Sequence, residues 1–274
     1  MALTNNKYSA LPKRSYIQGF WRMEETSGTR YDLSDNHNNL TDNNTVGYGA
    51  GKIGNAADFE RNNSEYLSIS DASQTGLDIT GEISAFAWIK LETKASVLGS
   101  PPPAILGKYN TVTNGRSYAI YIGHTDDKIG VNLSPNGSDF TTMYSSSILT
   151  TATWYHVGFT LNQTTDKIQI YLNGSADGSS VAYTGNIYNS ATAFTIGTYY
   201  YNSSPSRFID GLIDEAIIWN TCLTADEIAD VYAITSEDMY GKKLGILAWW
   251  FCKDSWEKHD KIWKPKILKP EFEI

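Results

Sequence analysis

Ile83-Ser-Ala-Phe-Ala-Trp-Ile-Lys-Leu91 is the stretch whose reading decides the fold. At a period of two, Ile83, Ala85, Ala87, Ile89 and Leu91 share one face, and Ser84, Phe86, Trp88 and Lys90 share the other. Both faces are largely apolar, the pattern of an inner strand covered on both sides. Outward from it, short apolar stretches alternate with turn clusters, which is an all-β pattern. The pattern predicts strands at Ile17–Met23, Ala56–Phe59, Tyr66–Ile69, Ala104–Tyr109, Ser117–Gly123, Ile129–Leu133, Trp154–Leu161, Lys167–Leu172, Phe194–Gly197 and Gly211–Trp219. Asn136-Gly137, Asn173-Gly174 and Asp177-Gly178 favour turns with positive φ. Pro101-Pro102-Pro103 marks an irregular loop, since consecutive prolines cannot donate to a sheet.

A chain of 274 residues suits one large sandwich. With 41% hydrophobic and 19% charged residues it can build a core, which excludes a disordered chain. The net charge of −8 repels phosphate backbones and argues against nucleic-acid binding. Residues 242–274 hold eight Lys against Asp254, Glu257, Asp260, Glu271 and Glu273, or +3, which leaves −11 on the rest. No run approaches the ~18 apolar residues of a membrane span. Cys222 and Cys252 are too few for a disulfide framework. The stretch Met1–Tyr8 lacks an apolar h-region, so no secretory signal peptide is expected.

Thr224-Ala-Asp-Glu227 is a capping box, in which hydroxyl and carboxylate each satisfy a backbone donor. Ile228, Val231 and Tyr232 follow at helical spacing, so a helix of about three turns is predicted.

Four blocks, in order, resemble the laminin-G-like domain of the concanavalin A-like jelly-roll group. They are Gly19-Phe-Trp-Arg-Met-Glu-Glu25 with Asp32-Leu-Ser-Asp-Asn-His-Asn38, and Gly51-Lys-Ile-Gly-Asn-Ala-Ala-Asp-Phe59 with Glu65-Tyr-Leu-Ser-Ile69. Then come Ile83–Ile89 with Trp154-Tyr-His-Val157 and Ile170-Tyr-Leu-Asn-Gly174, and Phe208-Ile-Asp-Gly-Leu-Ile-Asp-Glu215 through Asn220. The resemblance spans roughly residues 16–233. It implies a two-sheet antiparallel jelly-roll β-sandwich, preceded by an arm (1–15) and followed by an aromatic, lysine-rich arm (234–274). Such domains commonly bind glycans or proteins.

Many similar domains hold one structural calcium ion, which takes six to eight oxygens. The resemblance places Asp32, Asn38 and Asp214 as its ligands here. The same side chains suit Asx turns and loop hydrogen bonds equally well. The loop also departs from the family's glycine-rich form at Asp35, His37 and Asn39.

Catalysis is not expected. Glucanases of the group alternate acids on one strand face, but Leu212 and Ala216 flank Asp214 here, and Glu215 should face the other way. Glu24-Glu25 and Asp126-Asp127 read as solvated, and His156 as structural.

Two segments read as binding surfaces. Tyr199-Tyr200-Tyr201 falls between predicted strands, and with Tyr109 it offers the flat aromatic surface that sugars need. The alternative is that these rings cover the core edge. Trp249, Trp250, Trp256 and Trp263 are half of the chain's eight tryptophans, in a lysine-bearing segment suited to docking on other subunits through residues 240–274. The alternative is an extra strand packed on its own sandwich. The expected function is a non-enzymatic, glycan-binding module displayed on a bacteriophage virion or other extracellular surface, as a capsid decoration or fibre component. A purely structural subunit and a glycan-cleaving enzyme are its rivals.

Overall fold

The computed structural model describes residues 7–236. In chain order the strands are β1 (Ile17–Trp21), β2 (Thr41–Asn43), β3 (Gly47–Ala50), β4 (Asn55–Phe59), β5 (Tyr66–Ile69) and β6 (Ile83–Leu91). They continue with β7 (Ala104–Tyr109), β8 (Arg116–Ile122), β9 (Lys128–Leu133), β10 (Thr141–Ile148), β11 (Trp154–Asn162) and β12 (Lys167–Leu172). The last are β13 (Ser175–Ala176), β14 (Val181–Ala182), β15 (Phe194–Ile196), β16 (Tyr200–Tyr201), β17 (Ser204–Pro205) and β18 (Gly211–Trp219). Helix α1 is Ala95–Leu98 and α2 is Ala225–Ser236.

Two antiparallel sheets form a sandwich, as the alternation predicts. A nine-stranded sheet runs β13-β12-β11-β6-β18-β4-β3, with β1 joined to β18 and β14 to β12. A seven-stranded sheet runs β10-β9-β8-β7-β15-β5-β2. Strand β6 sits between β11 and β18, the inner place its sequence requires. Its Ile83, Ala85, Ala87, Ile89 and Leu91 enter the core between the sheets. Burial there supplies the driving force, at roughly 25 cal/mol per Å² of apolar surface. Trp21 and Phe194 stack in this core with centroids 5.2 Å apart, linking the two sheets.

The other face of β6 is also covered. Phe86 joins Phe20, Ile217 and Trp219 in a second apolar cluster with Leu223, Ile228, Val231 and Ile234 on or beside α2. The capping box forms as read: Thr224 N donates to Glu227 Oε2 at 2.8 Å, and Glu227 N to Thr224 Oγ1 at 3.3 Å. Helix α2 runs to Ser236, so it crosses the boundary expected at residue 233.

Residues 7–15 do not project as an arm. Tyr8 and Leu11 are buried in the second cluster, and the Tyr8 ring meets Phe20 edge-on at 5.1 Å. Trp219 Nε1 donates to Pro12 O at 3.1 Å. The polar composition of the segment concealed these two apolar anchors.

Candidate functional site

The outer face of the seven-stranded sheet carries an aromatic cluster separate from the core. On β8, Tyr118, Ile120 and Ile122 point inward, so Ala119 and Tyr121 point outward, where they join Ala104, Tyr109 and Tyr199. On β9 the same alternation sends Asn132 outward opposite buried Val131 and Leu133. On β10, Met143 enters the core and Thr142 and Tyr144 face outward. Gly130 makes room for this layer, since a Cβ there would collide with the Tyr121 ring.

Tyr121, Tyr199, Asn132, Thr142 and Tyr144 line a hollow of about 250 Å³ together with Phe140, His124 and Asp126. Phe140 and Tyr144 are each 49% exposed. Each is braced by a buried ring. Tyr121 meets Tyr144 edge-on at 6.1 Å, and Tyr109 meets Phe140 edge-on at 6.5 Å. Tyr121 Oη donates to Tyr144 Oη at 3.0 Å. Thr142 Oγ1 donates to Asn132 Oδ1 at 2.7 Å. Burial pushes the Tyr121 and Tyr199 phenols above their usual range, and Tyr109 up to about 12, so all three keep their protons. Two exposed rings on buried supports, beside hydroxyl and amide groups, make a preorganised surface for a ligand with one apolar face and polar edges.

The four tyrosines expected to bind a ligand divide. Tyr199 lines the hollow, and Tyr109 lies beneath it as a support, with centroids 5.1 Å apart. Tyr200 and Tyr201 form a small hairpin with Ser204–Pro205 instead. Tyr201 is exposed under Arg207, whose Cζ stands 4.6 Å from the ring centroid. Trp249, Trp250, Trp256 and Trp263 lie outside the described residues.

The residues read as calcium ligands do not fit that ion. Asp32 Oδ1 accepts from Phe20 N and Ser34 N, both at 2.8 Å. Its Oδ2 accepts from Ser34 Oγ and Asn38 N, both at 2.7 Å. Those four bonds use the lone pairs a cation needs. Asn38 Nδ2 donates to Gln18 O and Thr75 O, and its Oδ1 accepts from Thr75 N. Asp214 serves a different loop, accepting at Oδ2 from Lys52 N and Ile53 N. Each side chain is a hydrogen-bond hub that fastens a loop to the sheet. Three other carboxylates do converge: Asp58, Glu60 and Glu92 bring oxygens within 4.8 Å of one another. Burial, with repulsion from neighbouring carboxylates that include Asp210, raises all three. No further feature of that corner points to a ligand.

Asp214 and Glu215 do not face opposite ways. Glu215 has φ 47°, and the register with β6 shifts between Asp214 and Ile217. This bulge turns both acids to the outer side of the nine-stranded sheet. Asp214 pairs opposite Trp88, whose ring stacks on Tyr232 of α2. Glu215 Oε1 accepts from Tyr8 Oη at 2.5 Å, with Arg22 Nε at 3.5 Å. Both carboxyls are fully buried, so neither meets an open cleft. Burial raises Asp214 to about 8 and Glu215 to about 7, and Glu215 adds a repulsive push on Asp214. Asp127, read as solvated, is also buried, and accepts from Ser96 N and Ser96 Oγ. His156 is structural, as read: its ring stacks on Phe86 at 5.2 Å in a pocket closed by Trp88 and Tyr232.

Comparison with known proteins fits this geometry. The laminin-G-type family model described as the Concanavalin A-like lectin/glucanases superfamily matches residues 61–229, more than half of the chain. The chain belongs to this superfamily. Among solved structures, this laminin-G-like chain is similar to domain 4 of AbnA, a GH43 extracellular arabinanase from Geobacillus stearothermophilus, solved with arabinotriose. The TM-score is 0.60 at 17% identity, covering 79% of this chain and 98% of that one. It is similar to the binding domain of Paraclostridial Mosquitocidal Protein 1, with TM-score 0.63 at 13% identity, covering 80% and 52%. A third is botulinum neurotoxin type C, whose cell entry depends on interaction with two ganglioside molecules (TM-score 0.61, 13% identity, 86% and 54% covered). The laminin-G-like chain spans about half the length of these two toxin chains. At such identities the likeness is one of fold. No curated protein sequence matches the chain.

Proposed function

We propose that this laminin-G-like chain is a non-enzymatic glycan-binding module that takes sugar on the outer face of its seven-stranded sheet. The observation that carries the reading is the pair of exposed rings, Phe140 and Tyr144, held edge-on by buried Tyr109 and Tyr121. A sugar ring stacks its apolar face on such rings and turns hydroxyls to Asn132, Thr142 and Asp126. Hollow size alone does not choose the site. A hollow of about 280 Å³ beside Tyr8 and one of about 310 Å³ beside Cys222 are as large. The rings of the first, Tyr8 and Phe20, are buried, and the second has one ring, Tyr171. The fold's likeness to a domain solved with arabinotriose, and to a toxin that interacts with gangliosides, supports a sugar ligand.

The non-enzymatic reading rests on the same lining. Asp126 is its one acid, whereas glycosidases that use two carboxylates need a partner about 5–10 Å away. Display on a virion or other surface assembly, anchored through residues 240–274, completes the proposal. Glycan-array screening, followed by titration of the strongest hit against wild type and Tyr144→Ala, tests the site. Loss of one stacking ring costs about 1 kcal/mol, or roughly fivefold in affinity. Unchanged affinity in a folded Tyr144→Ala variant places the sugar elsewhere. Deleting residues 240–274 tests the anchor: the proposal expects a folded body that no longer assembles.

A further inference from the structure

Building on the glycan reading, we infer that the hollow selects uncharged sugar rings and that Asp126 is the residue that sets this choice. The Asp126 carboxylate is the one acidic or basic group in the lining apart from the His124 imidazole. It stands in the β8–β9 turn, where its Oδ1 accepts from Lys128 N at 3.3 Å. That contact orients the carboxylate through Oδ1, and no hydrogen bond to Oδ2 is seen among the described residues. A fixed carboxylate accepts strongly from sugar hydroxyls, and it repels a sugar that carries its own carboxylate.

The cations of this sheet face stand outside the lining, and Arg116 and Arg207 are engaged with neighbouring groups. Arg116 donates through Nη1 to Ser138 O and through Nη2 to Thr111 O, and it lies 5.4 Å over the Phe140 ring. Arg207 lies over the Tyr201 and Tyr199 rings, outside the lining. Lys128 stands on the same face of β9 as Asn132 but also outside the hollow. The remaining polar side chains of the lining, Tyr121, Thr125, Asn132, Thr142, Tyr144 and Tyr199, carry neutral hydrogen-bonding groups suited to hydroxyls. The net charge of −8 works in the same direction over longer range.

The test is calorimetric titration at pH 8 with two sets of oligosaccharides. The neutral set is arabinotriose, lactose and cellotriose, and the acidic set is 3′-sialyllactose and trigalacturonate. Wild type, Asp126→Asn and Asp126→Lys are compared, with thermal unfolding as the folding control. Wild type binds a neutral member at least about tenfold more tightly than either acidic one. Asp126→Asn weakens neutral binding about fivefold and narrows the gap, because a charged acceptor becomes a neutral one. Asp126→Lys inverts the preference, and raised salt weakens that inversion. Wild type binding an acidic member as tightly as the neutral ones overturns the inference while leaving the glycan reading standing. So does a neutral preference that neither substitution alters. Binding of neither set at millimolar concentration overturns both. Should Asp126→Lys fail to fold, the near-isosteric Asp126→Asn decides alone.

Discussion

His156 offers a perturbation whose size follows from its surroundings. Its ring is buried against Phe86, Trp88 and Tyr232, and neither ring nitrogen has a hydrogen-bond partner. Burial alone lowers its pKa from 6.5 to about 3. The groups around this site are Tyr171 on β12, Tyr232 on α2, Asp214 opposite Trp88, and Lys52, whose Nζ stands 4.6 Å over the Trp88 ring. Between pH 6.5 and 3 the unfolded chain binds a proton here that the folded chain does not. Stability from neutral His156 is therefore present at pH 7 and lost as pH falls. At pH 4.5 the loss is roughly 2.5 kcal/mol relative to pH 7. His156→Leu removes the titrating group and its two unpartnered atoms, so it should cost little at pH 7, within about 1 kcal/mol. Urea unfolding of both proteins at pH 7 and pH 4.5 measures the effect. The variant should gain roughly 2.5 kcal/mol on the wild type between the two pH values. Subtracting one protein from the other cancels the titration of Asp214 and Glu215. A difference that stays constant with pH refutes the account of His156 as a neutral, enclosed ring.

Two further predictions concern the buried charges. Glu215 is raised to about 7 by burial, so the folded chain holds a proton above the ordinary carboxyl range. Its contribution is present at low pH and lost as pH rises through about 7, and Glu215→Gln should flatten the decline in stability between pH 5 and 8, read by thermal unfolding. Lys108 is fully buried and pairs with both Asp71 and Asp78. Lys108→Ala leaves two acids facing each other and should cost about 3 kcal/mol in urea unfolding.

Much of the fold was legible because its strands bury whole faces. The alternation in Ile83–Leu91 announced cover on both sides, and Asn173-Gly174 announced the β12–β13 hairpin, where both residues have positive φ. Strand β10 escaped notice. As an edge strand it buries little beyond Met143 and Ser145, so Thr141–Ile148 reads as a polar loop. The bulge at Glu215 also left no mark, since a positive φ at a glutamate is imposed by its buried partners rather than by local preference.

The candidate site was half legible for the same reasons. A run of tyrosines drew attention to Tyr199, and Tyr109 accompanied it. Tyr144 was hidden on the unrecognised strand. Tyr121 was readable in principle, because in Ser117–Gly123 it falls on the face opposite Tyr118, Ile120 and Ile122. An aromatic side chain on the face away from the core was the signal. The sequence could not separate a calcium loop from the one found, because an oxygen-rich loop looks alike whether its carboxylate holds a metal or, as Asp32 does here, four hydrogen-bond donors.

Amide shift mapping by NMR, with the strongest glycan hit titrated into the labelled full-length chain, asks most directly where sugar lands. The account predicts that perturbations gather on β8, β9 and β10 and in the turn around Asp126, with the nine-stranded sheet silent. Perturbations centred on β11, β12 and α2, or none on the tyrosine-bearing face, would contradict it.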